Sequence, residues 1–557
     1  MIEQIKLKIK NTIESFYKID NVNVEDGKLE GINISVPLFV ISKVTKKNPK
    51  VVFDEVKDLI VDETISDISF LNGFLNIKLN KELVSKNVIN QILNDKNNFG
   101  NGKLSKEEVI VIDYSSPNIA KNFSVGHLRS TVIGNAIKNI YEKLGYKVVG
   151  INHLGDWGTQ FGKMIAAYKL WGDKALIEKN PITELQKLYI KFHEEEKEHP
   201  ELEQLGRDTF KKLEDNDAEM VELWNWFREE SVKEFMKMYE ILDVSFDSFN
   251  GEAFYNDKMG TVIEELENKK LLKIDDGASI VDLESFNLPP ALIKRSDGAT
   301  LYMTRDLAAL FYRKKTYNFN KTLYVVGNEQ RLHFNQLKAV TKLMGYDFDI
   351  EHINFGLVLI DGKKMSTRGG KNKKLEDVIK QAVADAKDAI ISKNPKLENK
   401  DEVAFAVGVG AIIFNDLKND RHLEVDFNLE NMLKFEGQTG PYIQYSSVRI
   451  ASILRENTLD TSKIDYNYFA NDSYFTVVEL LASFPNILKR SVENHAPSIV
   501  SRYLIALSQS FNSFYGRQKI VVDDINHLNA NLALITAIRE VLNEGMRILG
   551  IKALNEM

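Results

Sequence analysis

The sequence predicts an α/β protein in three parts: an N-terminal α/β module, a central domain built on a parallel sheet with a helical insertion, and a C-terminal all-helical domain. Three observations indicate this arrangement. A strand–helix–strand pattern occupies residues 109–151, a second one occupies residues 322–360, and helical periodicity continues from about residue 376 to the end. A chain of 557 residues has room for three or four domains.

The composition is that of an ordinary globular protein, and it excludes several classes. Lys and Arg number 73 against 80 Asp and Glu, which gives a net charge of −7, and 43% of the residues are apolar. Apolar segments of about 18 residues are absent from the sequence. The N-terminus lacks the apolar core of a secretory signal, so we expect a cytoplasmic protein without a membrane partner. The lack of cysteine excludes disulfides, iron–sulfur clusters and thiol catalysis. A nucleic-acid partner stays open, because phosphate binding needs only a local basic surface.

The N-terminal module begins with a predicted helix and continues as short strands. Apolar residues recur there at three- and four-residue steps, at Ile2, Ile5, Ile9, Ile13 and Phe16. The β-rich runs INISVPLFVIS and FLNGFLNIKL follow, and the polar stretch NDKNNFGNGKLSKEE is typical of a linker. We place the first boundary at about residue 105, so that the module covers residues 1–105.

The central domain, predicted over 106–375, opens with the strand VIVIDYSS, an amphipathic helix that Gly145 ends, and the strand KVVGIN. The strand TLYVVG, the helix HFNQLKAVTKLMG and the strand HINFGLVLI supply its second half. A helical insertion is predicted between the halves, at about 163–290. Helical periodicity then predicts a connector over 376–430 and a helical domain over 431–557.

The first motif, PNIAKNFSVGHLRST, lies where a strand ends and a helix begins. The chain turns at Gly126, and His127 stands at the start of the helix, whose free N–H groups and positive dipole end favour an anion. His127 is therefore a candidate donor to a phosphate oxygen. The simpler interpretation is a capping loop with a surface histidine.

The second motif, HINFGLVLIDGKKMSTRGG, presents cationic and hydroxyl side chains after a strand and a turn: Lys363, Lys364, Ser366, Thr367 and Arg368. Such groups suit a triphosphate whose α-phosphorus is attacked, because charge then builds on the departing pyrophosphate. The motif is not a Walker loop, because no glycine–lysine pair is followed directly by Ser or Thr. The simpler interpretation is a solvated turn.

Together the two motifs resemble the HIGH and KMSKS motifs of class I aminoacyl-tRNA synthetases. Five strings between residues 115 and 450 resemble segments of the arginyl-tRNA synthetase family, in that family's order: SSPNIAKNFSVGHLRST, INHLGDWGTQFG, LYMTRDLAA, DGKKMSTRGG and GQTGPYIQYSSVRI. The resemblance implies a Rossmann-type catalytic domain, a C-terminal anticodon-binding domain and an N-terminal module that binds the tRNA elbow. It implies an arginine–tRNA ligase, in which ATP converts L-arginine to arginyl-adenylate and the 3′-terminal ribose of tRNA(Arg) takes the arginyl group.

The resemblance also implies the residues that hold ATP, with two departures from the family's motifs. Ser124 stands in place of the first histidine of HxGH, and Thr367 replaces the second lysine of KMSKS. The chain resembles family members with this altered loop, which have a lysine just upstream of the HxGH position. Here that lysine is Lys121. The implied catalytic residues are Lys121, His127 and Lys364. The implied ATP-binding residues are Ser124, Gly126, His127, Lys363, Lys364, Met365 and Ser366.

The sequence also contains candidate residues for binding the side chain of the amino-acid substrate. A guanidinium is planar, always charged and offers five donors, so its pocket needs carboxylate and carbonyl acceptors and a flat wall. Tyr302 and Asp306 are four residues apart, which places them on one helical face. The resemblance assigns this pair to the arginine guanidinium and adds Asp113, Ser116, Asn118 and Gln330 to the pocket. A surface helix turn is the simpler interpretation of the pair alone.

For tRNA, the resemblance implies Asn72, Phe74 and Asn76 at the elbow and Tyr515 and Met557 at the anticodon. The nine histidines include no HExxH pair, so we expect no structural metal and no tightly bound cofactor, and Mg²⁺ should arrive with ATP. A monomer is expected. Two alternatives stay open: a class I synthetase for another amino acid, and a catalytically inactive paralogue that only binds tRNA.

Overall fold

The structure, a computed structural model, describes residues 1–296, 302–360, 362–364 and 374–557, with only the backbone at Ile360, Lys363 and Lys364. The N-terminal elements are α1 (Ile2–Tyr17), β1 (Glu25–Asp26), β2 (Ile34–Pro37), α2 (Leu38–Thr45), α3 (Pro49–Val56), β3 (Ile65–Leu71), β4 (Phe74–Leu79) and α4 (Lys81–Asp95). The strands form an antiparallel sheet in the order β1-β2-β4-β3.

The N-terminal prediction is correct for the first helix and wrong for half of the first β-rich run. Ile5, Ile9 and Ile13 of α1 are buried, as their spacing predicts. The run INISVPLFVIS changes from strand to helix after Pro37, and Leu38 and Ile41 are the buried residues of α2. Those two apolar positions are three residues apart, which is a helical spacing. The alternating pattern before Pro37 led to a strand being predicted for the whole run.

The central elements follow in chain order. They are β5 (Val109–Asp113), α5 (Val125–Lys143), β6 (Lys147–Ile151), α6 (Thr159–Trp171), α7 (Lys174–Lys179), α8 (Pro181–Glu195), α9 (Glu201–Glu214), α10 (Ala218–Leu242), α11 (Met259–Asn268), β7 (Leu272–Asp275), β8 (Ala278–Val281), β9 (Ala291–Lys294), α12 (Tyr302–Tyr317), β10 (Lys321–Tyr324), α13 (Arg331–Leu343) and β11 (Asp349–His352). A parallel sheet in the order β11-β10-β5-β6 forms the centre. The carboxyl ends of β5 and β10, the neighbouring strands at which this order reverses, are where an open α/β sheet binds ligands.

The predicted insertion is helical over α6–α11 and then departs from the prediction. Strands β7, β8 and β9 form an antiparallel sheet of their own. The turn between β7 and β8 is made by Asp276 and Gly277, with φ angles of 44° and 80°. An Asp-Gly pair with two positive φ angles is a strong hairpin signal, and the helical interpretation of this segment overlooked it.

The remaining elements are β12 (Val358–Ile360), β13 (Lys363–Lys364), α14 (Leu375–Lys393), α15 (Lys400–Leu417), β14 (Val425–Asp426), α16 (Leu429–Met432), α17 (Gly440–Glu456), α18 (Asp472–Glu493), α19 (Ser498–Arg517) and α20 (Ile525–Ile548). The parallel central sheet and these helices confirm the predicted fold class. Among the helices that the structure describes, none is both long and apolar enough to cross a membrane.

The predicted strand HINFGLVLI is two strands in two sheets. Its first residue, His352, ends β11 of the parallel sheet, and its last three residues form β12, which pairs with β13 and β14. The chain passes between the sheets at Gly356, where an added Cβ atom would lie 2.6 Å from the carbonyl oxygen of Leu423. This close approach of two backbones requires glycine and separates the two strands.

Candidate active site

The loop after β5 carries the first motif and has an uncommon backbone shape. Ser115, Ser116 and Ala120 have φ angles of 70°, 49° and 57°, which cost energy in residues with a Cβ atom. Two hydroxyls stabilise this shape: Ser130 Oγ accepts from Ser115 N, and Ser231 Oγ accepts from Ala120 N, both at 2.9 Å. The loop is thus held between α5 of the central sheet and α10 of the insertion.

His127 is part of a capping box at the start of α5, so the simpler interpretation of the first motif is present in the structure. The backbone N–H of Ser124 donates to His127 Nδ1 at 3.0 Å. Because Nδ1 accepts, the neutral ring carries its proton on Nε2. Burial and the nearby Lys121 charge lower the pKa of His127 to about 4. The ring is therefore a neutral donor at neutral pH, which is compatible with binding a phosphate oxygen.

Lys121 supplies a cation beside this ring. Its side chain is half-buried, and burial lowers the pKa of its ammonium group. Its positive charge also contributes to the lowered pKa of His127. The predicted ATP residues Lys121, Ser124 and His127 are therefore close together, while Gly126 between them is exposed.

The second motif is attached to the protein at both of its ends. Its first end is the β12–β13 hairpin, in which Ile360 pairs with Lys363 and Leu359 with Lys364. The chain that follows the motif pairs with the first motif, since Lys374 forms a bridge with Ser124 and Leu375 N donates to the carbonyl oxygen of Phe123 at 3.0 Å. Residues Met365, Ser366, Thr367 and Arg368 lie outside the described residues.

Asp306 has a histidine partner that the sequence analysis did not identify. His333 Nε2 lies 2.5 Å from Asp306 Oδ2. Burial by itself would raise the pKa of Asp306, but His333 and the charges of His153 and Arg313 hold that pKa below its ordinary value. Asp306 is therefore a stable carboxylate, and a carboxylate has room for further donors on its two oxygens.

Asp113 is already paired with an arginine of the chain. Arg313 Nη2 lies 2.8 Å from Asp113 Oδ2, and both side chains are buried. Ser116 Oγ donates to Asp113 Oδ1 at 2.9 Å, and Arg313 Nη2 lies 3.2 Å from His153 Nδ1. Two of the predicted pocket residues, Asp113 and Ser116, are thus in direct contact. Asp113 is thus the counter-charge of the buried Arg313.

The other predicted pocket residues lie on separate elements of the central domain. Asn118 packs against Gly155, where an added Cβ atom would lie 2.0 Å from Asn118 Oδ1. Gln330 is exposed at the end of a short 3-10 helix after β10. Tyr302, the first residue of α12, is 67% exposed and sits one turn before Asp306. The three side chains thus come from separate elements, and Tyr302 is the one of them that lines the cleft described next.

A cleft of about 930 Å³ lies beside them, between the insertion and α12. Its lining combines aromatic and cationic side chains, among them Trp157, Trp224, Arg228, Tyr302 and Arg305. Aromatic rings stack on nucleotide bases and arginines bind phosphates. The lining also contains Asp156, Glu214 and Asp257, and Arg228 is paired with Asp156 at 2.9 Å, so the cleft is mixed in charge and suits a polar ligand better than a purely apolar one.

Comparison with known proteins decides the family. Residues 88–429 match the catalytic domain model of class I tRNA synthetases (R), and residues 443–557 match the DALR anticodon binding domain. The chain is 51% identical over 528 residues to the arginine–tRNA ligase of an Exiguobacterium species, covering 94% of this chain and 93% of that protein. The arginine–tRNA ligase of Enterococcus faecalis gives the same identity and the same coverage. The chain belongs to the arginyl-tRNA synthetase family.

Solved structures of arginyl-tRNA synthetases have the same fold. The Thermus thermophilus enzyme superposes with a TM-score of 0.84 at 22% identity, covering 100% of both chains. The Plasmodium falciparum enzyme gives a TM-score of 0.83 at 27% identity, covering 100% of this chain and 99% of that one. Family membership confirms the predicted class I aminoacyl-tRNA ligase with a Rossmann-type domain, and it favours an active enzyme over an inactive paralogue.

The residues predicted for the tRNA elbow lie on the β3–β4 hairpin. Asn72 and Gly73 form its turn, with φ angles of 53° and 79°. Phe74 is half-buried, and its ring meets that of Phe39 edge to face at 5.9 Å. Asn76 is buried and accepts from Ser35 Oγ at 2.9 Å. Asn72 is therefore the exposed residue of this predicted site.

The two residues predicted for the anticodon belong to the C-terminal helices and the terminal segment. Tyr515 is 42% exposed, and the guanidinium of Arg449 lies 5.2 Å from its ring centre. Met557 is half-buried, and its carbonyl oxygen accepts from Asn394 Nδ2 at 3.4 Å. An exposed tyrosine beside an arginine is the combination that stacks on unpaired bases.

Three side chains that contact the predicted pocket residues were not identified from the sequence: His153, Arg313 and His333. Their signals were present but ambiguous. His153 lies in the matched string INHLGDWGTQFG, and His333 is three residues after Gln330 at the start of α13. Within the described ranges, His, Cys, Asp and Glu side chains do not form any group of three that could hold a metal ion.

Proposed function

We propose that this chain attaches L-arginine to tRNA(Arg) with Mg²⁺-bound ATP, and that Asp306 reads the guanidinium. The observation that carries the proposal is the Asp306 carboxylate, which has His333 at 2.5 Å and a pKa that stays low although the side chain is part-buried. A substrate guanidinium requires such a fixed negative charge. Tyr302 supplies the flat wall one helical turn away, and Asn118 and Gln330 hold the main-chain end of the amino acid.

We assign ATP to the space between the two motifs. His127 donates from Nε2 to a phosphate oxygen, and the positive end of α5 adds to the attraction. Lys121, Lys363 and Lys364 neutralise the triphosphate, with Ser124, Gly126, Met365 and Ser366 completing the site. The arginine carboxylate attacks the α-phosphorus, the bond to the β-phosphate oxygen breaks, and pyrophosphate leaves as arginyl-adenylate forms. Catalysis is by positioning and charge stabilisation, and no protein nucleophile is needed.

We assign the cleft of Trp157, Tyr302 and Arg305 to the 3′-terminal nucleotide of the tRNA. The terminal ribose hydroxyl attacks the carbonyl carbon of arginyl-adenylate, AMP leaves, and the arginyl ester forms. Asn72, Phe74 and Asn76 belong to the proposed elbow contact, and Tyr515 and Met557 to the proposed anticodon contact. We propose the domain division 1–105, 106–375, 376–430 and 431–557, a cytoplasmic location and a monomer.

The experiment is aminoacylation of total tRNA by the purified chain with labelled arginine. We expect ATP-dependent esterification of arginine that needs added tRNA, and no comparable charging with the other class I amino acids. Binding of tRNA without any esterification would instead indicate the inactive paralogue. Charging of a different amino acid would indicate a synthetase with another specificity.

A further inference from the structure

Arg129 is a buried arginine that lies two residues after His127 on α5. Its side chain is 1% exposed, which is unusual for a residue type that is always charged. Positions two apart on a helix face roughly opposite directions. The same turn of α5 therefore presents His127 to the proposed ATP site and Arg129 to the opposite side, which faces the protein interior.

The guanidinium of Arg129 connects α5 to the sheet that carries the second motif. Its Nη1 donates to the carbonyl oxygens of Gly356 at 2.7 Å and Leu423 at 2.8 Å. Gly356 lies two residues before β12, and Leu423 lies two residues before β14. One donor group thus joins the entrances of both strands, at the point where their backbones approach too closely for any residue but glycine at 356.

The contact continues from these entrances to the motif itself. Strand β12 pairs in parallel with β14, through Val358 with Val425 and Leu359 with Asp426. Asp426 Oδ1 then accepts from Gly362 N at 3.0 Å, in the turn that leads to Lys363 and Lys364. Hydrogen bonds therefore run without interruption from Arg129 through the sheet to the turn of the hairpin.

Asp416 on α15 supplies the counter-charge on the third side of the guanidinium. Arg129 Nε lies 3.0 Å from Asp416 Oδ2, and Asp416 is also buried. A lysine has a single compact ammonium group, which cannot reach a carboxylate and two carbonyl groups in the fork arrangement of an arginine. The geometry therefore uses the shape of arginine as well as its charge.

We propose that Arg129 is a positioning residue that sets the distance between the two ATP motifs, so that His127 and Lys364 meet the same triphosphate. The proposal rests on the proposed function for the assignment of those two side chains to ATP. It concerns the activation step only. Transfer of arginine from the adenylate to the tRNA takes place after pyrophosphate has left, so it no longer needs the cations that bind the triphosphate.

The test compares the two half-reactions in Arg129→Lys, which keeps a cation for Asp416 and gives up the two carbonyl contacts. Activation is measured as ATP–pyrophosphate exchange with arginine and tRNA present. Transfer is measured in reverse, as AMP-dependent deacylation of arginyl-tRNA. We expect the exchange kcat to fall by about 30-fold or more, with deacylation within about threefold, because small misplacements of reacting groups cost about 10²-fold.

Lys143→Gln is the matched control. Lys143 is also on α5, is buried, and pairs with Glu544 at 2.9 Å, but its partners lie away from the β12–β14 sheet. We expect it to lower thermal stability and to change both half-reactions by similar factors. Equal losses of exchange and deacylation in Arg129→Lys, no loss of exchange, or the same selective loss in Lys143→Gln would each overturn the inference. Absence of exchange in the unmodified chain would instead contradict the proposed function.

Discussion

His333 Nε2 and Asp306 Oδ2 lie 2.5 Å apart, across the gap between the starts of α12 and α13. The contact joins the helix that follows β9 to the helix that follows β10, so it fixes both the orientation and the charge of the carboxylate. His333→Ala removes the donor and should raise the KM for arginine by about 10-fold, since a hydrogen bond to a charged group contributes about 1.5–3 kcal/mol. Steady-state charging at varied arginine concentration measures this, and the KM for ATP should stay constant. An unchanged KM for arginine would show that Asp306 is oriented without His333.

His127 should act as a neutral donor in the activation step. His127→Ala should lower the exchange rate by about 10²-fold, because one preorganised donor to a charge that develops in the reaction is lost. His127→Asn keeps an N–H donor and should lose less. Since the pKa of His127 is lowered to about 4, its titration should not affect the rate between pH 6 and 8. Equal rates for the Ala variant and the parent would remove His127 from the ATP site.

The same lowered pKa predicts how stability depends on pH. Between the pKa of an unfolded histidine, about 6.5, and the folded value, the unfolded chain binds more protons, so stability falls as the pH falls through that window. His127→Asn lacks this group and should lose less stability than the parent between pH 6.5 and 4.5. Chemical denaturation at several pH values measures the difference. Parallel stability curves for the two proteins would contradict the lowered pKa.

Lys121 should compensate for the threonine at position 367. Lys121→Ala removes a cation from the triphosphate and should raise the barrier to adenylate formation by about 2–4 kcal/mol. Lys380→Ala is the control, because Lys380 is a surface lysine of α14 bonded to Glu376. ATP–pyrophosphate exchange by the two variants decides the matter. A loss of only a few-fold in Lys121→Ala, or an equal loss in both, would remove the compensating role.

Tyr515 should contribute to tRNA binding rather than to chemistry. Tyr515→Ala should raise the KM for tRNA, because stacking of one base contributes about 1–3 kcal/mol, while Tyr515→Phe keeps the ring and should change little. The KM values for ATP and arginine should be the same in all three proteins. If the Ala variant keeps the parent's KM for tRNA, Tyr515 lies outside the anticodon contact.

The sequence was sufficient for the parallel sheet because β5 and the apolar face of α5 are local, periodic patterns. It failed where long-range contacts decide the structure. The division of HINFGLVLI depends on the approach of Leu423 to Gly356, about seventy positions along the chain, and no local pattern records that contact. The antiparallel strands β7–β9 were missed for a different reason, since their Asp-Gly turn was visible but lay inside a segment dominated by helices.

In the candidate site, too, local patterns could be predicted from the sequence and long-range contacts could not. Tyr302 and Asp306 could be paired from their spacing on one helix. The partners of the two predicted carboxylates could not, because Arg313 and His333 come from α12 and α13 and meet them only in the folded chain. The pairing of Lys374 with Ser124 likewise joins the first motif to a residue that is far away in sequence, just after the second motif. Residue types and spacing indicated the chemistry of the site, and only the folded structure shows which side chains contact one another there.

The most direct test of the account is the discrimination between arginine and citrulline by Asp306→Asn. The substitution keeps the size of the side chain but replaces a charged acceptor with an amide whose NH₂ points donors at a guanidinium that has only donors. Citrulline is the neutral isostere of arginine, with a carbonyl in place of one nitrogen. We expect kcat/KM for arginine to fall by at least ~10²-fold, citrulline to lose much less, and the KM for ATP to stay nearly constant. Equal losses for arginine and citrulline would contradict the account, because Asp306 would then support the helix instead of reading the guanidinium.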